Sequence, residues 1–278
     1  MSTIYNGLIC LLGLISLLVP AFRAQESLAN SAIKTPYIER ENREFSFYPG
    51  GKLEIATAIP GNVSIVGRQR GSVLLEVEKL VYYQEPENAK ALLKENTVRI
   101  RHIQTSASVQ IPKPSQAGAV LEFNLTFYVP GEKTDLNIII SQGDLSIDSV
   151  NGWVEVSIGQ GSLEIKDMAG YFSATTRKGD IYVQMSGHRW RGLEFAALTY
   201  RGSVDLKMPR NYSATLQLDT RKGRILFDYP PRMVDGQPEL PAIFTRKNAQ
   251  TLKGAVGDGG PPIKLASYSG NISVSAKE

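Results

Sequence analysis

The chain runs to 278 residues, with 31 Lys and Arg against 27 Asp and Glu, a formal net charge of +4 and 42% hydrophobic residues. A balance this close to neutral excludes a protein that works by wholesale charge attraction to nucleic acid, while the apolar content suffices for one sizeable core or a long thin one. The only cysteine, Cys10, excludes an internal disulfide and a cysteine-built metal site.

In chain order, Leu8 to Phe22 is a charge-free apolar run. It is shorter than the ~20 residues that span a bilayer but suits the hydrophobic region of a secretory signal. Ala21 and Ala24 supply small residues for cleavage, so residues 1–24 read as a signal peptide. Met1 to Gly7 holds no Lys or Arg, which leaves an uncleaved anchor as the alternative. Leu8 and Ile9 directly before Cys10 argue against a lipid-modified cysteine. Cleavage removes one arginine, Arg23, and no acid, taking the charge from +4 to +3. Residues 25–44 are mixed polar with Pro36 and read as an N-terminal tether or a leading strand, with order expected from Phe45 and a single domain over 45–278.

That domain begins with two short units, Gly51-Lys52-Leu53-Glu54-Ile55 and Gly61-Asn62-Val63-Ser64-Ile65, followed by an alternating strand from Ser72 to Val81. Pro86 to Lys94 (PENAKALLK) has a proline at a helix start, good helix formers and a basic end, so one short helix is predicted near 86–95. Val98 to Ile103, Val109 to Ile111 and Val120 to Val129 read as strands, the last half-buried by its strict alternation.

A glycine then returns every nine residues, at Gly143, Gly152, Gly161, Gly170 and Gly179. The second and fourth residues after each are apolar or small: Leu145 and Ile147, Val154 and Val156, Leu163 and Ile165, Phe172 and Ala174, Ile181 and Val183. A fixed period with a turn residue at one end and two inward side chains is how a stacked β-repeat is written, because each unit buries its face only against its neighbours. The unit recurs at wider spacing at Gly202, Gly223 and Gly270, interrupted by a Pro-rich excursion at 228–262 with six prolines, which reads as a loop too short to bury a core of its own. The last unit is expected to close the stack. The predicted fold is all-β, a stacked β-repeat of β-solenoid or β-helix type, with antiparallel hairpins in a sandwich as the open alternative.

The string Tyr128-Val129-Pro130, the successive phrases QGDLSI, NGWVEV, QGSLEI, KGDIYV and RGSVDLKMP, the segment NYSATLQLDTRKGRI and the closing GDGGPPIKLASYSGNISV together resemble the bacterial putative-adhesin β-repeat family, also described as a toastrack-like domain of unknown function. The EPENAKALLKE helix between N-terminal strands is similar to its layout, and the likeness spans Phe45 to Ser275. It implies a stacked β fold at the bacterial envelope, and it brings no catalytic or ligand residues to transfer. The widened spacing around Trp190 and the long Pro-rich excursion depart from the pattern.

If two nine-residue units make one coil, residues 18 apart stack at ~4.8 Å and outward positions form ladders. One ladder is aromatic: Trp153 beside Tyr171, with the Trp190 region on the next rung, offering either a platform for sugar rings or rings that stack on one another. The other is basic: Gln142, Gln160, Lys178, Arg201 and Lys222 precede repeat glycines, with Arg177, Arg221 and Arg224 alongside. It reads either as a contact for anionic glycan or lipid headgroups or as solubilising turn residues neutralised by Asp180, Asp205 and Asp219. Catalysis finds little support. The best carboxylate pair, Asp144 and Asp180, would be ~9.6 Å apart, at the outer limit for inverting glycoside chemistry. His102 and His188 lack partners at motif spacing, and Gly257 to Gly260 runs into Pro261 and Pro262 rather than a helix. Four N-x-S/T triplets, at Asn62, Asn124, Asn211 and Asn271, fall where strand alternation produces them by chance.

The sequence thus predicts an exported, non-enzymatic binding scaffold in the bacterial periplasm or at the cell surface. It takes no cofactor or metal, has an envelope glycan or protein as partner, and needs neither nucleic acid nor a membrane span once the signal is removed. The alternative is an envelope-stress or signalling accessory that assembles with membrane partners.

Overall fold

The computed structural model describes residues 36–82, 86–114, 120–230, 232–234, 237–239 and 251–277. These lie in one compact unit, Thr35–Glu278. The signal peptide, residues 25–35 of the tether and the middle of the Pro-rich excursion lie outside the described residues.

The described residues form 22 strands and one helix. In order they are β1 (Tyr37–Ser46), β2 (Lys52–Thr57), β3 (Val63–Arg68), β4 (Ser72–Val81), α1 (Pro86–Glu95), β5 (Arg99–Ile103), β6 (Ser106–Ile111), β7 (Leu121–Pro130), β8 (Asp135–Gln142), β9 (Leu145–Asp148), β10 (Asn151–Gln160) and β11 (Leu163–Lys166). There follow β12 (Ala169–Thr176), β13 (Ile181–Gln184), β14 (Gly192–Thr199), β15 (Val204–Met208), β16 (Ala214–Thr220), β17 (Ile225–Asp228), β18 (Arg232–Val234), β19 (Gln237–Glu239), β20 (Thr251–Val256), β21 (Pro262–Ser267) and β22 (Ile272–Ala276).

Two ten-stranded sheets contain nearly all of them. The first runs β1-β4-β7-β3-β9-β11-β13-β15-β22-β17 and the second β20-β16-β21-β14-β12-β10-β8-β2-β6-β5. Through the nine-residue array, successive strands alternate between the sheets, and each pairs in parallel with the strand two further on. Leu145 lies opposite Leu163 and Leu163 opposite Ile181 in one sheet, while Trp153 lies opposite Tyr171 in the other. The 18-residue ladder is therefore present, and parallel pairing sets aside the hairpin alternative for the array. Leu145, Ile147, Val154, Val156, Leu163 and Ile165 all join one continuous core that takes side chains from both sheets.

Three expectations change. The segment read as a tether or a leading strand is strand from Tyr37, eight residues before the expected start of order at Phe45, because β1 pairs antiparallel with β4 along ten positions. Its inward positions include Glu39 and Glu41 in place of apolar residues, and both reach the buried ammonium of Lys79, at 2.8 and 3.2 Å. The excursion is not all loop: β18 and β19 pair with each other, and β20 forms an outer strand antiparallel to β16.

The final unit does not close the stack. β21 inserts between β14 and β16, and β22 between β15 and β17, so the unit written last lies inside the β16–β17 unit written before it. An excursion is needed for this, because the chain must leave β17 at the outermost rung and return to an inner slot. At the opposite end, Ala89, Leu92 and Leu93 of α1 are buried, and the helix contacts β4.

Candidate functional site

The corner where each strand of the second sheet turns into the next strand of the first is built from backbone. Glycines stack there so closely that a Cβ added at Gly179, where φ is +148°, would sit 1.9 Å from the Gly161 carbonyl oxygen. Buried hydroxyls at the strand ends tie the corner down: Thr199 donates to the Gly179 carbonyl, Ser267 to that of Gly202 and Thr220 to that of Gly270, each at 2.8 Å. With no room on the inside, the residues just before the glycines point to solvent. Main-chain bonds from Gly143 to Gln160, Gly161 to Lys178, Gly179 to Arg201 and Gly202 to Ser269 place these residues one above another. The resulting column reads Gln142, Gln160, Lys178, Arg201, Ser269, Lys222, and all six are exposed.

The three basic residues picked from the sequence therefore share one corner, though Lys222 is separated from Arg201 by Ser269, the consequence of the inserted β21–β22 unit. A second column one residue earlier runs Gly159, Arg177, Tyr200, Tyr268, Arg221, with amide bonds from Arg177 to Ile158, Tyr200 to Thr176, Tyr268 to Thr199 and Arg221 to Ser267. Tyr200 and Tyr268 are 48% and 41% exposed. The Arg221 guanidinium and the Lys222 ammonium lie 5.6 and 5.3 Å from the Tyr268 ring centre, within cation–π range. Gly159, Gln160, Arg177, Lys178, Tyr200 and Arg201 line an open recess of about 690 Å³. Among the described residues Arg177, Lys178 and Arg201 have no ion-pair partner. The tyrosines are the part that sequence reading missed, although both occupy the position two before a repeat glycine, as Arg177 and Arg221 do.

Of the three acids expected to neutralise this corner, Asp180 and Asp219 accept hydrogen bonds while keeping their charge, and Asp205 has a buried Oδ1 with no hydrogen-bond partner among the described residues. Asp180 accepts the Ser203 amide at 2.7 Å and the Tyr182 hydroxyl at 3.3 Å, and Asp219 accepts the Thr251 hydroxyl at 2.9 Å. The charge of Asp180 is the main reason the Tyr182 hydroxyl is held above its ordinary pKa. Asp180 belongs to a column of short polar side chains on the first sheet in which each accepts a main-chain amide of the neighbouring rung. Asn124 takes the Asn62 amide, Asn62 that of Asp144, Asp144 that of Ser162, and Asn271 that of Arg224, at 2.7 to 3.0 Å. Asp144 and Asp180 are thus clips between rungs rather than a facing acid pair, and three of the four N-x-S/T asparagines do the same work. The fourth, Asn211, lies 3.0 Å from His188, while His102 stacks on Phe45 far along the chain, at 4.8 Å. Gly257 to Gly260 form the turn from β20 to β21, with the Gly259 amide bonded to the Val256 carbonyl.

The aromatic strip is shorter than predicted. Trp153 and Tyr171 stack with ring centres 3.9 Å apart and planes 20° off parallel, so each ring covers a face of the other. The next rung brings Glu194, not Trp190, opposite Tyr171, and Glu194 pairs with Lys264 at 2.9 Å. Trp190 is 3% exposed and meets Phe195 edge-on at 5.3 Å. The cause is the wider spacing noted in the sequence. Extra residues between β13 and β14 let the chain fold Trp190 into the core, and the register shifts at Gly170 and Tyr171, leaving Leu193 73% exposed.

Among the described residues no helix is long and apolar enough to cross a membrane, and no group of three or more His, Cys, Asp or Glu is placed to hold a metal ion. No family model matches the chain, and no curated protein matches it. Solved structures similar to it include a putative cell adhesion protein from Clostridium sporogenes, at 11% identity and a TM-score of 0.46, covering 86% of this chain and 100% of that one. A putative adhesin from Bacteroides fragilis matches at 13% identity and a TM-score of 0.34, over 86% of this chain and 97% of its own. A putative lipid binding protein from Parabacteroides distasonis matches at 10% identity and a TM-score of 0.30, over 86% and 97%.

Proposed function

We propose that this chain is an exported, non-enzymatic binding scaffold of the bacterial envelope or cell surface, and that its working surface is the corner of Lys178, Arg201 and Lys222. The observation that carries the reading is the column itself. Exposed cations stand in one file, Lys178 and Arg201 on neighbouring rungs and Lys222 one rung beyond Ser269, with no carboxylate among them. Stacking like charges opposes folding modestly in water, by under about 1 kcal/mol per pair, and an anionic partner would convert that repulsion into attraction. The Trp153–Tyr171 pair is the weaker candidate, since the two rings occupy each other's faces.

The test is retention on immobilised anionic envelope polymer at two salt concentrations. Exposed charges are screened beyond ~10 Å at 0.1 M salt, so binding through the corner weakens steeply as salt rises. Lys178→Gln with Arg201→Gln should abolish retention, while Trp153→Ala should leave it unchanged. Retention insensitive to both the corner substitutions and salt would overturn the reading. The export part of the proposal rests on the sequence of residues 1–24 and is checked by intact mass after expression in a bacterial host. A start near Gln25 or Phe22 supports it, and a full-length chain held in the inner membrane opposes it.

A further inference from the structure

We infer that the ligand of this corner is a linear acidic polysaccharide of the polyuronate class, bound in extended form along the stack axis. The inference rests on the reading of the basic corner given above and adds the shape and charge spacing of what fits it. The column of Gln142, Gln160, Lys178, Arg201, Ser269 and Lys222 advances one rung, ~4.8 Å, per residue and so extends over ~24 Å. That rise is close to the advance per sugar of an extended β-linked pyranose chain, so successive sugars meet successive rungs in register. Carboxylates on the side of such a chain that faces the corner then fall within reach of the long, flexible side chains of Lys178, Arg201 and Lys222.

The rest of the corner has the chemistry of a sugar chain rather than of a simple polyanion. Tyr200 and Tyr268 stand exposed beside the cations, and aromatic rings take the apolar face of a pyranose. Gly159 leaves the recess open next to Gln160 and Arg177, so a ring can approach the backbone there. Gln142, Gln160 and Ser269 supply neutral hydrogen-bonding groups for hydroxyls on rungs that carry no cation in this column. A small anion such as phosphate calls for donors that converge on one point, whereas these cations stand in a row. A lipid bilayer presents a plane, which cations standing in a single file meet only along a line.

The experiment measures binding of the full chain to β-linked mannuronate oligomers of one to eight sugars, to neutral cellohexaose and to phosphatidylglycerol vesicles, at low and moderate salt. Affinity should rise at least about tenfold from the monomer to the hexamer, as each further contact becomes intramolecular, and then level off near six sugars. Cellohexaose should not bind. Arg201→Gln with Lys222→Gln should remove the length dependence, and Gln142→Ala should weaken only the longer oligomers. Equal affinity for monomer and hexamer, or binding to vesicles alone, would overturn the polysaccharide inference while leaving the basic corner standing. Binding to none of the anionic ligands would overturn the corner itself.

Discussion

Gly161 shows how little freedom the corner positions have. Its φ is +143° and an added Cβ would lie 1.9 Å from the Gly143 carbonyl oxygen, whereas nothing stands within 4 Å of a Cβ added at Gly71. Gly161→Ala should therefore cost about 3 kcal/mol or more, from strain and from forcing two rungs apart. Gly71→Ala should stay within about 0.5 kcal/mol. The midpoint of urea unfolding checks both, and equal shifts would contradict the stacked corner. At this scale the sequence was highly legible, because the nine-residue glycine period fixes which residues face inward: Val156 and Ile165 are buried and Glu155 and Glu164 exposed. Trp190 was not legible. Its aromatic character suggested a third rung of the strip, but the extra residues before β14 turned it into the core beside Phe195.

Among the elements, α1 was readable from its opening proline and its run of helix formers, whereas β1 was readable only as one of two alternatives, a tether or a leading strand. The inward side of β1 carries Glu39 and Glu41, which makes sense only once Lys79 of β4, distant in sequence, is seen to meet them. An inward charge on an outer strand also discourages edge-to-edge association. Burial pushes the Glu41 carboxyl up, but the hydrogen bond from Arg43 and the charge of Lys79 more than reverse this and hold it below the ordinary 4.5. A carboxylate with a lowered folded pKa contributes stability that is complete above the unfolded value and is lost as pH falls through the folded one. Amide protection, taken relative to the intrinsic exchange rate at each pH, should thus fall in β1 and the facing part of β4 below about pH 4.5, ahead of the strands of the array. If the array loosens first on acidification, Lys79 and its two glutamates are not what holds β1.

For the whole molecule, the stack was legible but the order of its rungs was not. Each unit carries the same signature, so nothing local distinguishes Gly223 from Gly270, and parallel pairing between units is set by long-range packing. Only the Pro-rich excursion hints that the chain travels before its last unit, and its place beside β14 and β16 emerges from the sheet order. That placement decides the binding corner, since it sets Ser269 between Arg201 and Lys222 and brings Tyr268 next to Tyr200. Disulfide trapping in a Cys10→Ser background tests it most directly, because a bridge needs Cα atoms about 4.4–6.8 Å apart, the separation of neighbouring rungs and not of alternate ones. Cysteines at 201 and 269, and at 269 and 222, should oxidise readily to intramolecular bridges, while the pair Arg201→Cys and Lys222→Cys should stay reduced. Ready bridging of 201 to 222, with none through 269, would place the last unit at the end of the stack and dismantle the corner as described.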